Sequence, residues 1–189
     1  GGMSVHEWTR DTKTPQSNVT VIYSWQEPAT AKNDLTLDAL RRVLSIAYVD
    51  SVREEKGGVY GISSEASIDP DGKPTSLLKL SFTTGPDKYK EIMPVVLRQL
   101  QNIADNGPLE VSLNKVKEYL TKQYGQAAIT NDYWNYVIYN NLRYGIDYDK
   151  DYLEMVSDLT ANDLQQMARR IVSSHRRIIV TMHSKVKNG

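Results

Sequence analysis

The sequence predicts an α+β domain, one mostly antiparallel sheet with helices packed on one face, and three observations carry that expectation. Two strand-like runs, Val59 to Ile68 and Leu77 to Thr83, are joined by Asp69-Pro70-Asp71-Gly72-Lys73-Pro74, a turn sequence that suits a hairpin and therefore antiparallel pairing. Helical patterns cluster in an uninterrupted block from about Leu109 to Ser173 instead of alternating with strands. A short apolar run, Ile178 to Met182, closes the chain as a last strand.

The remaining elements follow in order. Residues 1–17 are polar and lack periodicity, and are expected to be an approach segment or linker; the opening Gly1-Gly2-Met3 has the look of a cloning remnant, and the chain of a piece of something longer. Order is expected to begin near Asn18, with one domain over 18–189. Val19, Val21 and Tyr23 alternate with Thr20, Ile22 and Ser24 in a first strand that Pro28 ends. Asp34 or Thr36 caps a long helix whose Leu37, Leu40, Leu44 and Ala47 recur at three- and four-residue spacing. Pro86-Asp87 opens a helix to about Ala104, with Pro94 demanding a kink or a late start. Helices over about Leu109 to Gln126, Asp132 to Arg143, Asp149 to Val156 and Ala161 to Ser173, the last capped by Thr160, complete the block.

Composition removes several function classes. Lys plus Arg and Asp plus Glu number 23 each, so no global field draws nucleic acid or an anionic membrane, and partners must be recognised locally. A hydrophobic fraction of 40% supports a core, while no apolar stretch approaches the ~18 residues of a membrane span. Neither a nucleic acid nor a membrane is an expected partner. With no Cys, thiolate catalysis, disulfides and cysteine-based zinc sites are excluded.

The most informative stretch is Arg53-Glu54-Glu55-Lys56-Gly57-Gly58-Val59-Tyr60-Gly61, which hands a helix over to a strand with a guanidinium and a phenol flanking the turn. Spacing alone leaves two readings open. Arg53 suits the negative end of a helix dipole and Tyr60 is an ordinary strand residue, yet the pair could also meet one ligand. This stretch resembles the C-terminal, non-catalytic half of the insulinase/pitrilysin (M16) family of zinc metallopeptidases, in which an Arg and a Tyr seven residues apart lie on a helix and the following strand. Arg53 and Tyr60 match those positions, and the likeness extends over about Asn18 to Ser184, most specific around Arg53 to Gly61 and less so over Leu109 to Tyr124.

The resemblance implies a substrate-binding domain whose Arg53 and Tyr60 hold a peptide main chain near a zinc site supplied by another domain. Tyr60 is then a candidate oxyanion donor and Arg53 a primed-side contact. Its implied partners are a peptide substrate and the catalytic N-terminal half of the same protein or a partner subunit. Zinc belongs to that parent peptidase; no cofactor is expected in this chain, and the chain alone is expected to be inactive. If bacterial, the parent is expected in the periplasm. The family also contains scaffold subunits, the core proteins of the cytochrome bc1 complex, and organellar processing-peptidase subunits with a glycine-rich loop; the intact Arg53 and Tyr60 pair argues against the former, and nothing here matches that loop. A stand-alone module that adds a peptide strand to a sheet edge is a further alternative.

The metal-ligand inventory agrees. A zinc-binding half carries His-x-x-Glu-His, two imidazoles on one helical face with a glutamate as general base, and no such motif exists here. His6-Glu7-Trp8-Thr9-Arg10 starts like the other zinc motif but places Arg10 at the second ligand position. His175 and His183 stand eight apart, are expected to share a strand face without an acidic partner, and are read as structural or surface residues. Glu54 and Glu55 are adjacent on a helix, about 100° apart, and cannot converge on one bond. Tyr133, Tyr136 and Tyr139 recur beside Trp134; ordinary half-buried packing, the wall of a peptide chamber or a partner contact would all use them.

Overall fold

The computed structural model describes residues 2–56, 59–71 and 75–185, with the backbone alone described at 52–56, 59–60 and 185. Its elements run β1 (Met3–Asp11), β2 (Ser17–Trp25), α1 (Ala31–Lys56), β3 (Val59–Ile68), β4 (Ser76–Thr84), α2 (Tyr89–Asn106), α3 (Glu110–Ala127), α4 (Asn131–Tyr144), α5 (Tyr152–Asp158), α6 (Ala161–Ser173) and β5 (Arg177–Lys185). The five strands form one sheet in the order β1-β5-β2-β4-β3. Only the β1–β5 pair is parallel; β2 runs antiparallel to both β4 and β5, and β3 antiparallel to β4. The fold class is therefore the expected α+β one.

Alternation in β2 and β4 decides which face is covered. Val19, Val21, Tyr23 and Trp25 of β2 are buried together with Leu78, Leu80 and Phe82 of β4, while Asn18, Thr20, Lys79, Ser81 and Thr83 point the other way. Against the buried face lie Leu37, Leu40 and Leu44 of α1, Val96 and Leu100 of α2, and Leu164, Met167 and Ile171 of α6, which form one continuous core. Each such fully buried side chain contributes about 1.5–3 kcal/mol. Helix α1 lies over β3 and also touches α2, α3 and α6, so it is the element through which the other helices are tied to the sheet.

Four expectations need correction. The polar segment before Asn18 is not an aperiodic approach: it supplies β1, which pairs with β5 from Met3↔Arg177 to Asp11↔Lys185. Nearly all of its side chains are exposed, so backbone pairing at a sheet edge formed a strand without any apolar alternation to betray it. Neither Asp34 nor Thr36 caps α1; the cap is Thr30, whose Oγ1 accepts the Asn33 N–H at 3.1 Å, while Thr36 donates back to the Lys32 carbonyl. His175 does not share the strand of His183, because it sits ahead of β5 with φ of 51°. The late start expected for Pro94 is not found: α2 begins at Tyr89 and carries the proline inside the helix, on its exposed side opposite the buried Ile92, Val96 and Leu100.

Candidate functional site

Positions 53 and 60 flank the junction where α1 ends and β3 begins. The side chains of Arg53, Glu54, Glu55 and Tyr60, and the whole of Gly57 and Gly58, lie outside the described residues. Between Val59 and Ile62 the register with β4 slips by one residue, because Val59 pairs with Thr84 but Ile62 with Phe82. Gly61 takes φ of 136° in that bulge, a conformation essentially closed to residues with a Cβ. A bulge next to position 60 bends the strand and re-aims its neighbours, and β3 is also the terminal strand of the sheet.

Beside the bulge, on the face of the sheet that the helices leave open, is a shallow depression of about 370 Å³. Asn18, Thr20, Gly61, Ser63, Ser81 and Thr83 line it. The register places Ser63, Ser81 and Thr20 in one row across β3, β4 and β2, with Thr83 and Asn18 in the next row. Thr83 donates to Asn18 Oδ1 at 2.7 Å, Thr20 and Ser81 share a hydrogen bond at 3.2 Å, and Ser63 donates to the Ser81 carbonyl at 3.4 Å. The lining carries hydroxyls and an amide but no charge, which suits hydrogen bonding to peptide groups better than capture of an ion.

On the helix-covered face a different cluster has the composition of an acyl-transfer triad. Ser17 Oγ lies 2.8 Å from His183 Nδ1, and His183 Nε2 lies 3.9 Å from Glu7 Oε2, whose other oxygen accepts from the Tyr89 hydroxyl. The Tyr89 ring meets the imidazole edge-on at 5.1 Å. Ser17 is 0% exposed, so no substrate can reach its hydroxyl, and the group serves to tie β1, β2, β5 and α2 together. His183 thus has an acidic neighbour that the sequence did not disclose, on the strand expected to be a linker.

The chain's own residues do not fit zinc. His-x-x-Glu-His is absent from the sequence, and among the described residues no group of three or more His, Cys, Asp or Glu is placed to hold a metal ion.

The tyrosine-rich helix divides. Tyr136 and Tyr139 are both exposed, but Tyr136 joins the less exposed Tyr133 and Tyr124, Tyr148 and Tyr152 in lining a second pocket of about 270 Å³ that also receives Asp34, whereas Tyr139 does not. The Tyr148 hydroxyl donates to Asp34 at 2.7 Å, and Asp149 accepts from both Tyr124 and Tyr133 at 3.0 and 2.9 Å. Burial raises the Asp34 carboxyl from the usual carboxylate range to about 6, against the opposing hydrogen bond from Tyr148. Asp34 escaped sequence reasoning because a carboxylate at the start of a helix has a commoner explanation as a cap; the tyrosines recurring from 124 to 152 were the available signal.

The fold is a helix-backed, mostly antiparallel sheet, and among the described residues it holds no metal-ligand set. Residues 5–120 match the family described as Peptidase M16 inactive domain, and the chain belongs to that family. It is 28% identical over 96 residues to the "Probable zinc protease PqqL" of Escherichia coli (strain K12), a match covering 51% of this chain and 10% of that protein. The solved periplasmic protease PqqL from Escherichia coli superimposes with a TM-score of 0.79 at 18% identity, over 95% of this chain and 20% of that one. The peptidase M16 inactive domain from Pseudomonas fluorescens gives a TM-score of 0.74 at 14% identity, over 98% of this chain and 44% of that one. The ferredoxin protease FusC, solved in complex with Arabidopsis ferredoxin, gives 0.76 at 14% identity, over 96% of this chain and 20% of that one. The chain thus spans about a tenth of the curated relative and a fifth to under a half of these structures, and domains like it occur within larger M16 proteases.

Proposed function

We propose that this domain binds substrate peptide for a zinc peptidase whose metal and general base reside in another domain, with Arg53 and Tyr60 contacting the peptide main chain. The observation that carries the proposal is the meeting, at one end of β3, of the Arg53 and Tyr60 positions, the Gly61 bulge and the open, uncharged, hydroxyl-lined sheet face. Arginine supplies a fixed fork of donors and tyrosine a single hydroxyl on a stiff arm, and both suit a carbonyl oxygen. A donor aimed at the scissile carbonyl stabilises the charge that develops on its oxygen more than it stabilises the bound substrate. The Tyr60 hydroxyl is assigned that position or a neighbouring carbonyl, and Arg53 the primed side. That relatives of this chain are a probable zinc protease and a ferredoxin protease supports a proteolytic parent.

The test is kinetic and belongs in the full-length parent. Tyr60→Phe is expected to lower turnover by about 10²–10³ if the hydroxyl stabilises the oxyanion, and by only about fivefold, near 1 kcal/mol, if it merely positions the chain. Arg53→Ala is expected to lower kcat/KM, and zinc content stays unchanged in both variants. Wild-type rates in both variants would refute the assignment. The isolated chain is expected to hydrolyse no peptide and to retain no stoichiometric zinc.

A further inference from the structure

The pocket walled by Tyr124, Tyr133, Tyr136, Tyr148 and Tyr152 takes no part in the proposed peptide contacts, and its chemistry points elsewhere. It lies between the start of α1, the end of α3, α4 and the segment leading into α5. Its rings pack in two groups: Tyr124 stacks on Tyr152 at 5.0 Å and meets Tyr133 edge-on at 5.9 Å, and Tyr136 lies against Tyr148 at 5.2 Å. The faces of such rings attract cations.

The carboxylates around this wall differ in how they are compensated. Asp38, one turn further along α1, is paired with Arg41 at 2.6 Å and Arg42 at 2.8 Å. The Arg42 guanidinium is spent there and on Gln123 Oε1, with the Tyr119 ring beneath it. Asp149 accepts two tyrosine hydroxyls. Asp34, half-buried and within the pocket, accepts the Tyr148 hydroxyl and has no cation against it among the described residues. The groups facing it are Tyr148 and Tyr136, with Asp38 on its own helix, Asp149 behind Tyr124 and Tyr133, and Arg42 already paired. All five wall phenols are held above their usual range, with burial or a neighbouring carboxylate leading and Asp34, Asp38 or Asp149 contributing to each. Asp34 is thus the one pocket-lining carboxylate left without a cation among the described residues.

We propose that this pocket binds an organic cation, the ammonium or guanidinium head of a lysine- or arginine-sized group, with Asp34 as its counter-ion and the tyrosine rings as its walls. A volume of about 270 Å³ has room for one such side chain. An anion would meet Asp34, and a neutral ligand would leave that carboxylate partly buried and uncompensated. Protons compete with the ligand, because protonated Asp34 offers no charge to pair.

The test is binding to the whole chain, followed by NMR of the tyrosine ring signals. N-acetyl-lysine amide, N-acetyl-arginine amide and 1,5-diaminopentane are titrated against uncharged N-acetyl-norleucine amide. At pH 7.5 at least one cation is expected to bind about fivefold or more tighter than norleucine amide, and to weaken about tenfold at pH 5 as Asp34 takes up its proton. Preference for an amino-acid amide over the diamine assigns a polypeptide side chain as the natural occupant, and the reverse order a free amine; either supports the cation site. Asp34→Asn keeps the shape and the Tyr148 hydrogen bond and is expected to abolish the preference; Tyr136→Ala, at a partly exposed ring, is expected to weaken it. Equal binding of norleucine amide, equal affinity at both pH values, unchanged affinity in folded Asp34→Asn, or no movement of the tyrosine signals would each overturn the proposal.

Discussion

The Tyr148 hydroxyl donates a 2.7 Å hydrogen bond to the Asp34 carboxylate, pinning the first turn of α1 to the loop that precedes α5. That bond favours the ionised carboxylate, but burial opposes it more strongly and leaves the Asp34 carboxyl raised from 3.8 to about 6. Between these values the native chain holds a proton that the unfolded chain has released. Stability from this group is therefore present at low pH and is lost as pH rises through about 6. Allowing for the solvent that still reaches the group, the effect is about 1 kcal/mol. Asp34→Asn is expected to gain about that much over the native chain at pH 7.5 and little at pH 4, as measured by denaturant unfolding at the two pH values. An equal difference at both would show that the carboxylate is not strained by burial.

Glu27 is 4% exposed and holds two partners, the Trp25 indole N–H at 3.1 Å and Arg170 Nε at 2.8 Å. It links the end of β2 to α6 from a position beside the core. Glu27→Ala leaves the buried indole N–H without its acceptor and the guanidinium without its partner; because Arg170 remains partly in solvent, about 2–3 kcal/mol of stability is expected to go. Arg170→Ala is expected to cost at least as much, since it leaves the buried Glu27 carboxylate without its cation. A clearly smaller loss for Arg170→Ala in thermal unfolding would mean that the indole N–H, and not the ion pair, holds this corner together.

Tyr48, on α1, is buried with its hydroxyl lacking any hydrogen-bond partner among the described residues. A buried hydroxyl is costly unless paired, and its removal without change of ring shape relieves that cost. Tyr48→Phe is expected to leave the fold intact and to raise stability by up to about 1 kcal/mol. A loss of similar size in the denaturant midpoint would mean that the hydroxyl is satisfied after all.

Most of this architecture was legible where burial imposed a period. Leu37, Leu40 and Leu44 announced the buried face of α1, alternation from Val19 to Tyr23 announced β2, and Thr160 announced the start of α6, where the structure adds Asp163 as the other half of a capping box. The turn residues from Asp69 to Pro74 marked the hairpin of β3 and β4 correctly. What escaped was held by forces without a sequence period. β1 is an exposed edge strand whose pairing with β5 uses backbone groups that every residue owns, and its partner lies more than 170 positions away.

The candidate sites divide in the same way. The spacing of Arg53 and Tyr60 pointed to a family, and the family assignment stands, while their part in binding is the proposal made above. The hydroxyl-lined depression was not, because Asn18, Thr20, Ser63, Ser81 and Thr83 come from three strands whose register only the fold supplies. The Asp34 pocket likewise joins residues up to 118 positions apart, and the sequence showed its tyrosines without their carboxylate.

Gly61 ties the two levels together, because the bulge at the edge strand exists by virtue of one φ of 136°. Among the described residues, its chain neighbours aside, no atom lies within 4 Å of where a Cβ would stand, so the cost of a larger residue there arises from the backbone. Gly61→Ala is expected to lower stability by about 1–3 kcal/mol, while Gly85→Ala, with equal space and no positive φ, stays near neutral. If the bulge also sets the aim of the adjoining Tyr60, Gly61→Ala in the full-length parent lowers kcat/KM by more than the loss of folded protein accounts for. Unfolding midpoints and kinetics of the folded fraction separate the two effects. Equal stability of the two alanine variants would show that the bulge relaxes at no cost, and it could then not hold a catalytic contact in place.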